Sequence, residues 1–199
     1  MIGSGRGATG GSAGNDQLTA IVATILLVLL AVEGATLLNL ESLLTVHVFV
    51  GMLLVPVVAL KLGSTGWRML RYYLGGEEYV RRGPPHIALR AVVAPLIVLS
   101  TTMLLATGIA LVALTRTSGI VLGLHKASFA VWLGATGVHV LAHALKLPRM
   151  LRTRAPGSSL RIAGAVAAVT AGLSLAIATI PAADRLQDQV SARIGLEEH

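Results

Sequence analysis

The 199-residue chain contains no cysteine, few acidic residues and only 4% aromatic residues. Without cysteine it cannot form a disulfide, attach a c-type haem covalently or ligate an iron–sulfur cluster. Any redox cofactor on this chain must therefore be held noncovalently by other side chains. Charged residues make up 13% of the chain and hydrophobic residues 54%, with a mean hydropathy of +0.78. This balance is far from that of a soluble domain and indicates a membrane protein in contact with the lipid bilayer.

The chain starts with a Gly- and Ser-rich segment that lacks the pattern of a secretory signal, because no basic segment precedes a short apolar core. We expect residues 1–17 to be a disordered segment, residues 18–182 to form one transmembrane domain, and residues 183–199 to form a short extracytoplasmic tail. The net charge of +7 is concentrated at the ends of apolar segments. It therefore predicts membrane topology, and we expect no binding to nucleic acid.

Five stretches are long and apolar enough to cross a hydrocarbon core, which takes about 20 helical residues. They are residues 18–40, 43–62, 87–114, 120–145 and 160–180. The predicted fold class is an all-α integral membrane helical bundle of about five transmembrane helices, the first four forming a haem-binding four-helix bundle. The fifth stretch is rich in Ala and Gly, which suits close helix packing more than strong insertion, so it is a candidate peripheral span.

Basic residues are concentrated in the connections that follow the second and fourth stretches. They are Lys61, Arg68, Arg71, Arg81, Arg82 and Arg90 in the first of these, and Lys146, Arg149, Arg152, Arg154 and Arg161 in the second. The connections at the opposite side contain one basic residue, Arg116. By the positive-inside rule both basic connections are cytoplasmic. The expected location is the inner (cytoplasmic) membrane, with the N-terminus inside and the C-terminus outside.

Histidines lie inside the apolar stretches, where ionisable residues are uncommon and usually functional. In the predicted topology His47 of the second stretch and His125 of the fourth lie at matching depth, about four and five residues below the outer surface. Two imidazoles on neighbouring helices can hold one haem iron from both sides, and this closed coordination suits electron transfer more than oxygen chemistry. Because glycines let a porphyrin approach the backbone, Gly51, Gly134 and Gly137 are compatible with such a site.

The inner half of the fourth stretch carries two more histidines. His139 follows His125 by 14 residues, which is about 21 Å along a helix, and His143 lies one turn further. A second haem at this depth needs another axial ligand, and His86 is the remaining candidate. His139 and His143 also have the spacing of a zinc pair, although no Cys, Asp or Glu completes a site on that stripe. The alternative is that these inner histidines are packed, hydrogen-bonded side chains.

Two further charged residues lie in the predicted spans. Glu33 is the only carboxylate deep in a span, where an acid is costly. It is a candidate acceptor for a quinol proton, or else it hydrogen-bonds a neighbouring helix or a histidine ring. Lys61 lies at the inner depth, where it would pair with a haem propionate or a quinone head group, or extend its ammonium group to the membrane surface.

The second and fourth stretches together resemble a known family. The similarity lies in VHVFVGMLLVPVVALKLGSTGWRMLRYY and LHKASFAVWLGATGVHVLAH, within residues 18–147. These segments resemble the bacterial cytochrome b561 superfamily, which includes the b-type haem membrane subunits of formate dehydrogenase and nickel-iron hydrogenase. The resemblance implies that His47 and His125 are the axial ligands of an outer haem b. It also implies that His139 holds an inner haem with a histidine at the inner end of the first span, which this sequence lacks.

The resemblance also implies a function: electron transfer between the quinone pool and a separate redox partner protein, extracytoplasmic or membrane-bound, through one or two bis-histidine haems. The chain would then be an electron-transfer subunit more than a stand-alone enzyme. Two alternatives remain open. One is a haem-free multi-pass transporter or channel that uses the histidines and Glu33 for protons or metal ions. The other is a structural membrane assembly subunit.

Overall fold

A computed structural model describes residues 11–75, 92–143 and 158–197. Every regular element in these ranges is helical, which confirms the predicted all-α class for the described residues. Four continuous helical stretches among them are long and apolar enough to cross a membrane. The elements are α1 (Gly11–Thr36), a 3-10 turn (Leu37–Asn39), α2 (Leu40–Tyr73), α3 (Ala94–Leu114), α4 (Ile120–His143) and α5 (Ser158–Glu197).

The first apolar stretch, Gly14–Tyr73, contains two helices that fold back on each other. Asn39 leaves the helical conformation, with φ −148° and ψ 65°, and its side chain accepts a hydrogen bond from the backbone N–H of Ser42. The end of α1 then contacts the start of α2, and the start of α1 contacts α2 near Lys61. α1 and α2 are therefore antiparallel. We call the end of the molecule that contains Leu37–Asn39 the turn end, and the opposite end the far end.

α3 and α4 form a second hairpin, which also reverses at the turn end. α3 begins next to Pro95, whose missing N–H costs nothing in the first helical turn. It ends at Thr115, which has left-handed backbone angles of φ 47° and ψ 52° and donates its N–H to the preceding turn. Gly119, at φ +90°, completes the connection before α4. α4 packs along α3, and α3 contacts α2 and α5.

α5 is an integral part of the packing, which corrects the interpretation of the fifth stretch as peripheral. It lies along α2, and the small buried residues Ala176 and Ala183 pack with Val48 and Met52 of α2. At Gly172 the two backbones approach so closely that a Cβ would collide with the carbonyl group of Leu53. Glycine permits this contact, as is common between membrane helices.

The direction of α5 follows from its contacts at the two ends. At the far end Arg161 donates to the side chain of Gln17 on α1, and at the turn end the side chain of Gln187 contacts the start of α2. α5 therefore runs parallel to α1. The three helices α1, α2 and α5 form one group, and the α3–α4 hairpin joins it through α3.

Two predicted segment boundaries differ from the structure. α1 begins at Gly11, so the end of the segment expected to be disordered is helical. The segment predicted as a tail after residue 182 continues α5 to Glu197, and its Ala183 and Leu186 are only 1% and 3% exposed. The reason is the same in both cases. These residues extend a helix that already packs against a neighbour, so burial favours a longer helix although the local composition does not.

Candidate functional site at the turn end

His47 lies on α2 at the turn end and faces the last turn of α1. Its Nδ1 atom is 3.0 Å from Oγ1 of Thr36 and 3.0 Å from Oε1 of Glu33. Thr36 donates its own hydroxyl proton to the backbone carbonyl of Glu33 over 2.6 Å. Because that proton is engaged, the Thr36 oxygen accepts from the ring, and Nδ1 of His47 is the protonated nitrogen.

His125 lies on the first turns of α4 and faces α3. Its Nδ1 atom is 3.1 Å from the backbone oxygen of Leu104 and 3.1 Å from Oγ1 of Thr107. A carbonyl oxygen can only accept, so Nδ1 of His125 carries the proton. Thr107 donates its hydroxyl proton to the carbonyl of Met103, 2.7 Å away on its own helix, and therefore also accepts from the ring.

The two histidines are held in the same way. In each case a buried threonine on a neighbouring helix donates to its own backbone and accepts from Nδ1 of the imidazole. A neutral imidazole with its proton on Nδ1 has its lone pair on Nε2. This is the arrangement in which histidines ligate metals, because the hydrogen bond at one nitrogen fixes the tautomer and the orientation of the ring.

His47 and His125 also belong to one region of the molecule. Val48, the residue after His47, shares a buried cluster with Val112 near the end of α3, and α4 with His125 packs along α3. Both rings are partly buried, and the side chain of His47 is 20% exposed. α3, which contacts α2 and α4, positions the two rings at the same end of the molecule.

Glycines line both histidine environments. A Cβ on Gly108 of α3 would lie 3.2 Å from Cε1 of His125, tighter than ordinary van der Waals contact. A Cβ on Gly51, one turn after His47, would lie 3.5 Å from the carboxylate of Glu33. At Gly134 and Gly137, the other two glycines named from the sequence, a Cβ would have no neighbour within 4 Å, so both positions border open space.

Glu33 differs from the other residues around the rings because it carries charge. Its side chain is 17% exposed and pairs through Oε1 with His47, which fits the sequence-based interpretation that it contacts a histidine ring. Its second oxygen, Oε2, is buried and has no hydrogen-bond partner among the described residues. The site therefore places one carboxylate on His47, whereas His125 is held by neutral acceptors alone.

The other predicted ligands are not brought to this site. His139 is exposed on α4, about 21 Å along the helix from His125. His143 ends α4 and its side chain lies outside the described part of the chain, as does the whole of His86. Among the described residues, no three His, Asp or Glu side chains form a group that could hold a metal ion. A site here would depend on two protein ligands.

Lys61 is far from the histidine pair, at the other end of α2. Its ammonium group donates to the backbone oxygen of Thr19 on α1, over 2.9 Å. It therefore crosses between two helices and does not simply extend to the surface.

Thr36 and Thr107 are functional candidates that the sequence did not single out. A buried threonine one helix away from a histidine leaves no pattern in the linear sequence.

Comparison with known proteins identifies no relative that shares this site. No protein-family model, characterised protein or solved structure matches this chain.

Proposed function

We propose that the chain is a multi-pass membrane cytochrome of b type that binds one haem between His47 and His125. In this proposal it transfers electrons between the quinone pool and a separate redox partner protein. The observation that carries the proposal is the matched anchoring of the two imidazoles. Each is hydrogen-bonded through Nδ1, so each presents Nε2 for coordination.

The residues present fit a haem in two further respects. The donor set consists of two imidazoles from different helices, which is the closed axial ligation of an electron-transfer haem. Gly51 and Gly108 add no side chain to the surroundings of the two rings. A bound haem would supply a one-electron couple. The apolar helices around it would exclude water, and the hydrogen bonds at Nδ1 would set the basicity of the ligands.

The number of haems remains part of the proposal. His139, at the far end of α4, is the predicted ligand for a second one, but the described residues provide no histidine opposite it. The proposal therefore counts one haem b at the turn end. A quinone or quinol is the proposed small-molecule partner, and the redox partner would be a separate extracytoplasmic or membrane protein.

The test is spectroscopic. Protein purified from a haem-replete host should show a Soret band and a reduced α-band, with about one haem per chain. His47→Ala and His125→Ala should each abolish the low-spin spectrum, whereas His139→Ala should leave it intact. Protein that is folded by circular dichroism and shows no Soret band would refute the cytochrome proposal. A spectrum that survives both ligand substitutions would refute the ligand assignment.

A second candidate function rests on Glu33. Its pairing with His47, together with a buried Oε2 that has no described hydrogen-bond partner, is also what a proton or metal-ion transporter without haem would present. The absence of a three-ligand group among the described residues favours protons over metal ions in that case. Proteoliposomes with an internal pH dye distinguish this candidate: it requires haem-independent proton flux that Glu33→Gln abolishes.

A further inference from the structure

An open groove runs between α3 and α4, in the hairpin that carries His125. It has a volume of about 310 Å³, and residues of both helices line it: Leu96, Leu99, Ser100, Met103, Leu124, Ala127, Ser128 and Val131. This volume is at the lower end of the range for small-molecule sites, about 300 to 1,000 Å³. Both helices are apolar enough to cross a membrane, so a lipid-soluble molecule can enter the groove from the side.

The floor of the groove is polar, whereas its walls are apolar. The walls are exposed side chains, since Leu99 is 68% exposed and Met103 is 46% exposed. Ser100 of α3 and Ser128 of α4 lie deeper and are only 6% and 8% exposed. Two buried hydroxyl groups on neighbouring helices are therefore the polar part of the lining. This distinguishes the groove from a crevice that is shaped for an acyl chain alone.

Both serines donate their hydroxyl protons to their own helices. Ser100 Oγ donates to the backbone oxygen of Leu96 over 2.6 Å, and Ser128 Oγ donates to that of His125 over 2.9 Å. A hydroxyl oxygen whose proton is engaged can still accept a hydrogen bond. The groove thus offers two acceptors, and it favours a ligand that carries hydroxyl donors.

The groove is next to His125. Leu124 and Ser128 of its lining lie on either side of His125 in the sequence. Met103 of its lining precedes Leu104, whose backbone oxygen accepts from Nδ1 of His125. Ser128 follows His125 by three residues, which is about 4.5 Å along the helix and about 60° around it. A molecule on Ser128 would therefore lie close to a proposed haem ligand, on a different side of α4.

We propose that this groove binds a quinol, with its hydroxyl groups donating to the oxygens of Ser100 and Ser128. The inference rests on the proposed function, which requires a quinone or quinol, and adds the place and the redox form of that molecule. The ring and the start of the isoprenoid tail match the apolar walls. A quinone has only acceptors, so it would compete with the helix carbonyls for the serine protons. An acyl chain would fit the walls but give neither serine oxygen a donor.

The experiment is equilibrium binding of radiolabelled decylubiquinol to the full-length protein in detergent, under nitrogen. Decylubiquinone and the dimethyl ether of decylubiquinol lack hydroxyl donors, so each should bind at least about fivefold more weakly. Ser100→Ala and Ser128→Ala should each weaken quinol binding about fivefold, which corresponds to one neutral hydrogen bond. Ser174→Ala is the matched control, because the exposed Ser174 makes the same bond to its own helix on α5 and lies outside the groove.

A further variant fills the groove without disturbing a buried residue. Ala127 is exposed and lines the groove, so Ala127→Phe should fold and lose quinol binding. Ala130→Phe, at an exposed position of α4 outside the lining, should keep it. Equal binding of the quinol, the quinone and the ether would overturn the proposal and indicate a lipid acyl chain as the occupant. Quinol binding that is unchanged in both serine variants would overturn it as well.

This test is separable from that of the cytochrome proposal. The Soret band depends on His47 and His125 in that proposal, whereas the serine variants should keep it. Protein that shows the Soret band and binds no quinol would refute the quinol site alone. Protein without haem that binds the quinol through Ser100 and Ser128 would refute the cytochrome proposal alone.

Discussion

Thr107 accepts a hydrogen bond from Nδ1 of His125 over 3.1 Å while it donates its own hydroxyl proton to its own helix. A hydroxyl group that has already donated can act only as an acceptor toward the ring. Thr107 therefore selects one tautomer of His125, the one with the lone pair on Nε2. Thr36 has the same relationship to His47. The two rings are therefore oriented by the same kind of hydrogen bond, although only His47 also contacts a carboxylate, that of Glu33.

Replacement of Thr107 by valine should weaken the site without disrupting the fold. Thr107→Val keeps the shape of the side chain and removes the acceptor, so we expect a loss of about 1 kcal/mol in the positioning of His125. In the cytochrome proposal this appears as haem lost more readily on dilution or on competition with apomyoglobin. Thr102→Val is the matched control, because the exposed Thr102 makes the same bond to its own helix on α3 and none to a histidine. Equal haem loss in both variants would contradict the role of Thr107.

Glu33 should tune the electronic properties of His47. A carboxylate on Nδ1 increases the basicity of the ring and stabilises the more positively charged state of a bound iron. Glu33→Gln keeps an acceptor at Oε1 and removes the charge. We expect the reduction potential of the haem to rise by about 60 mV, which corresponds to a tenfold change in a one-electron equilibrium.

The control for this substitution is Glu41→Gln, which removes a carboxylate from an exposed position at the turn end. Its potential should match that of the unmodified protein, measured by a redox titration of the α-band. A potential that does not change in the Glu33 variant, or that changes equally in both, would mean that Glu33 does not act through His47.

The helices were largely predictable from the sequence, since stretches of about 20 apolar residues have few other solutions in a bilayer. The hairpin at Leu37–Asn39 and the region shared by His47 and His125 follow from the same pattern. The position of α5 could not be predicted in this way, because its Ala and Gly residues indicate weak insertion when considered alone. Only the partner explains them: Gly172 and Ala176 are small where α2 comes closest.

The hydrogen-bond partners of the histidines were less predictable than the histidines themselves. The acceptors are a carboxylate and a hydroxyl for His47, and a hydroxyl and a carbonyl for His125. Each depends on the rotation of one helix about its axis relative to another. Periodicity fixes which residues share a face of one helix, but packing decides which face meets which neighbour.

Gln187 should contribute to the stability of α2 from a distance in sequence. α2 is interrupted at Leu43, with φ −111° and ψ 16°, and the next two backbone N–H groups, of Leu44 and Thr45, donate to Oε1 of Gln187. The side chain thus does for α2 what an N-cap residue does within one helix. Gln187→Ala should lower the free energy of unfolding by about 1 kcal/mol.

The measurement is the unfolding midpoint in a mixed-micelle denaturation followed by circular dichroism. Gln189→Ala, an exposed change on the same turn of α5, should leave the midpoint within error. Truncation of the chain after residue 182 should have a larger effect than Gln187→Ala, because it also removes the buried Ala183 and Leu186. A truncated protein as stable as the full chain would show that the part of α5 after residue 182 does not support α2.

Gly172 of α5 should be far less replaceable than Gly164 of the same helix. An added Cβ would meet the carbonyl group of Leu53, and backbone cannot rotate away as a flexible side chain can. Gly172→Ala should therefore separate α2 from α5 and cost about 1 to 3 kcal/mol, the range for overpacking. Gly164→Ala on the same helix has no neighbour within 4 Å and should be neutral or slightly stabilising, since alanine favours helix. Because α2 also carries His47, the Gly172 variant should lose haem affinity along with stability, whereas the Gly164 variant should lose neither.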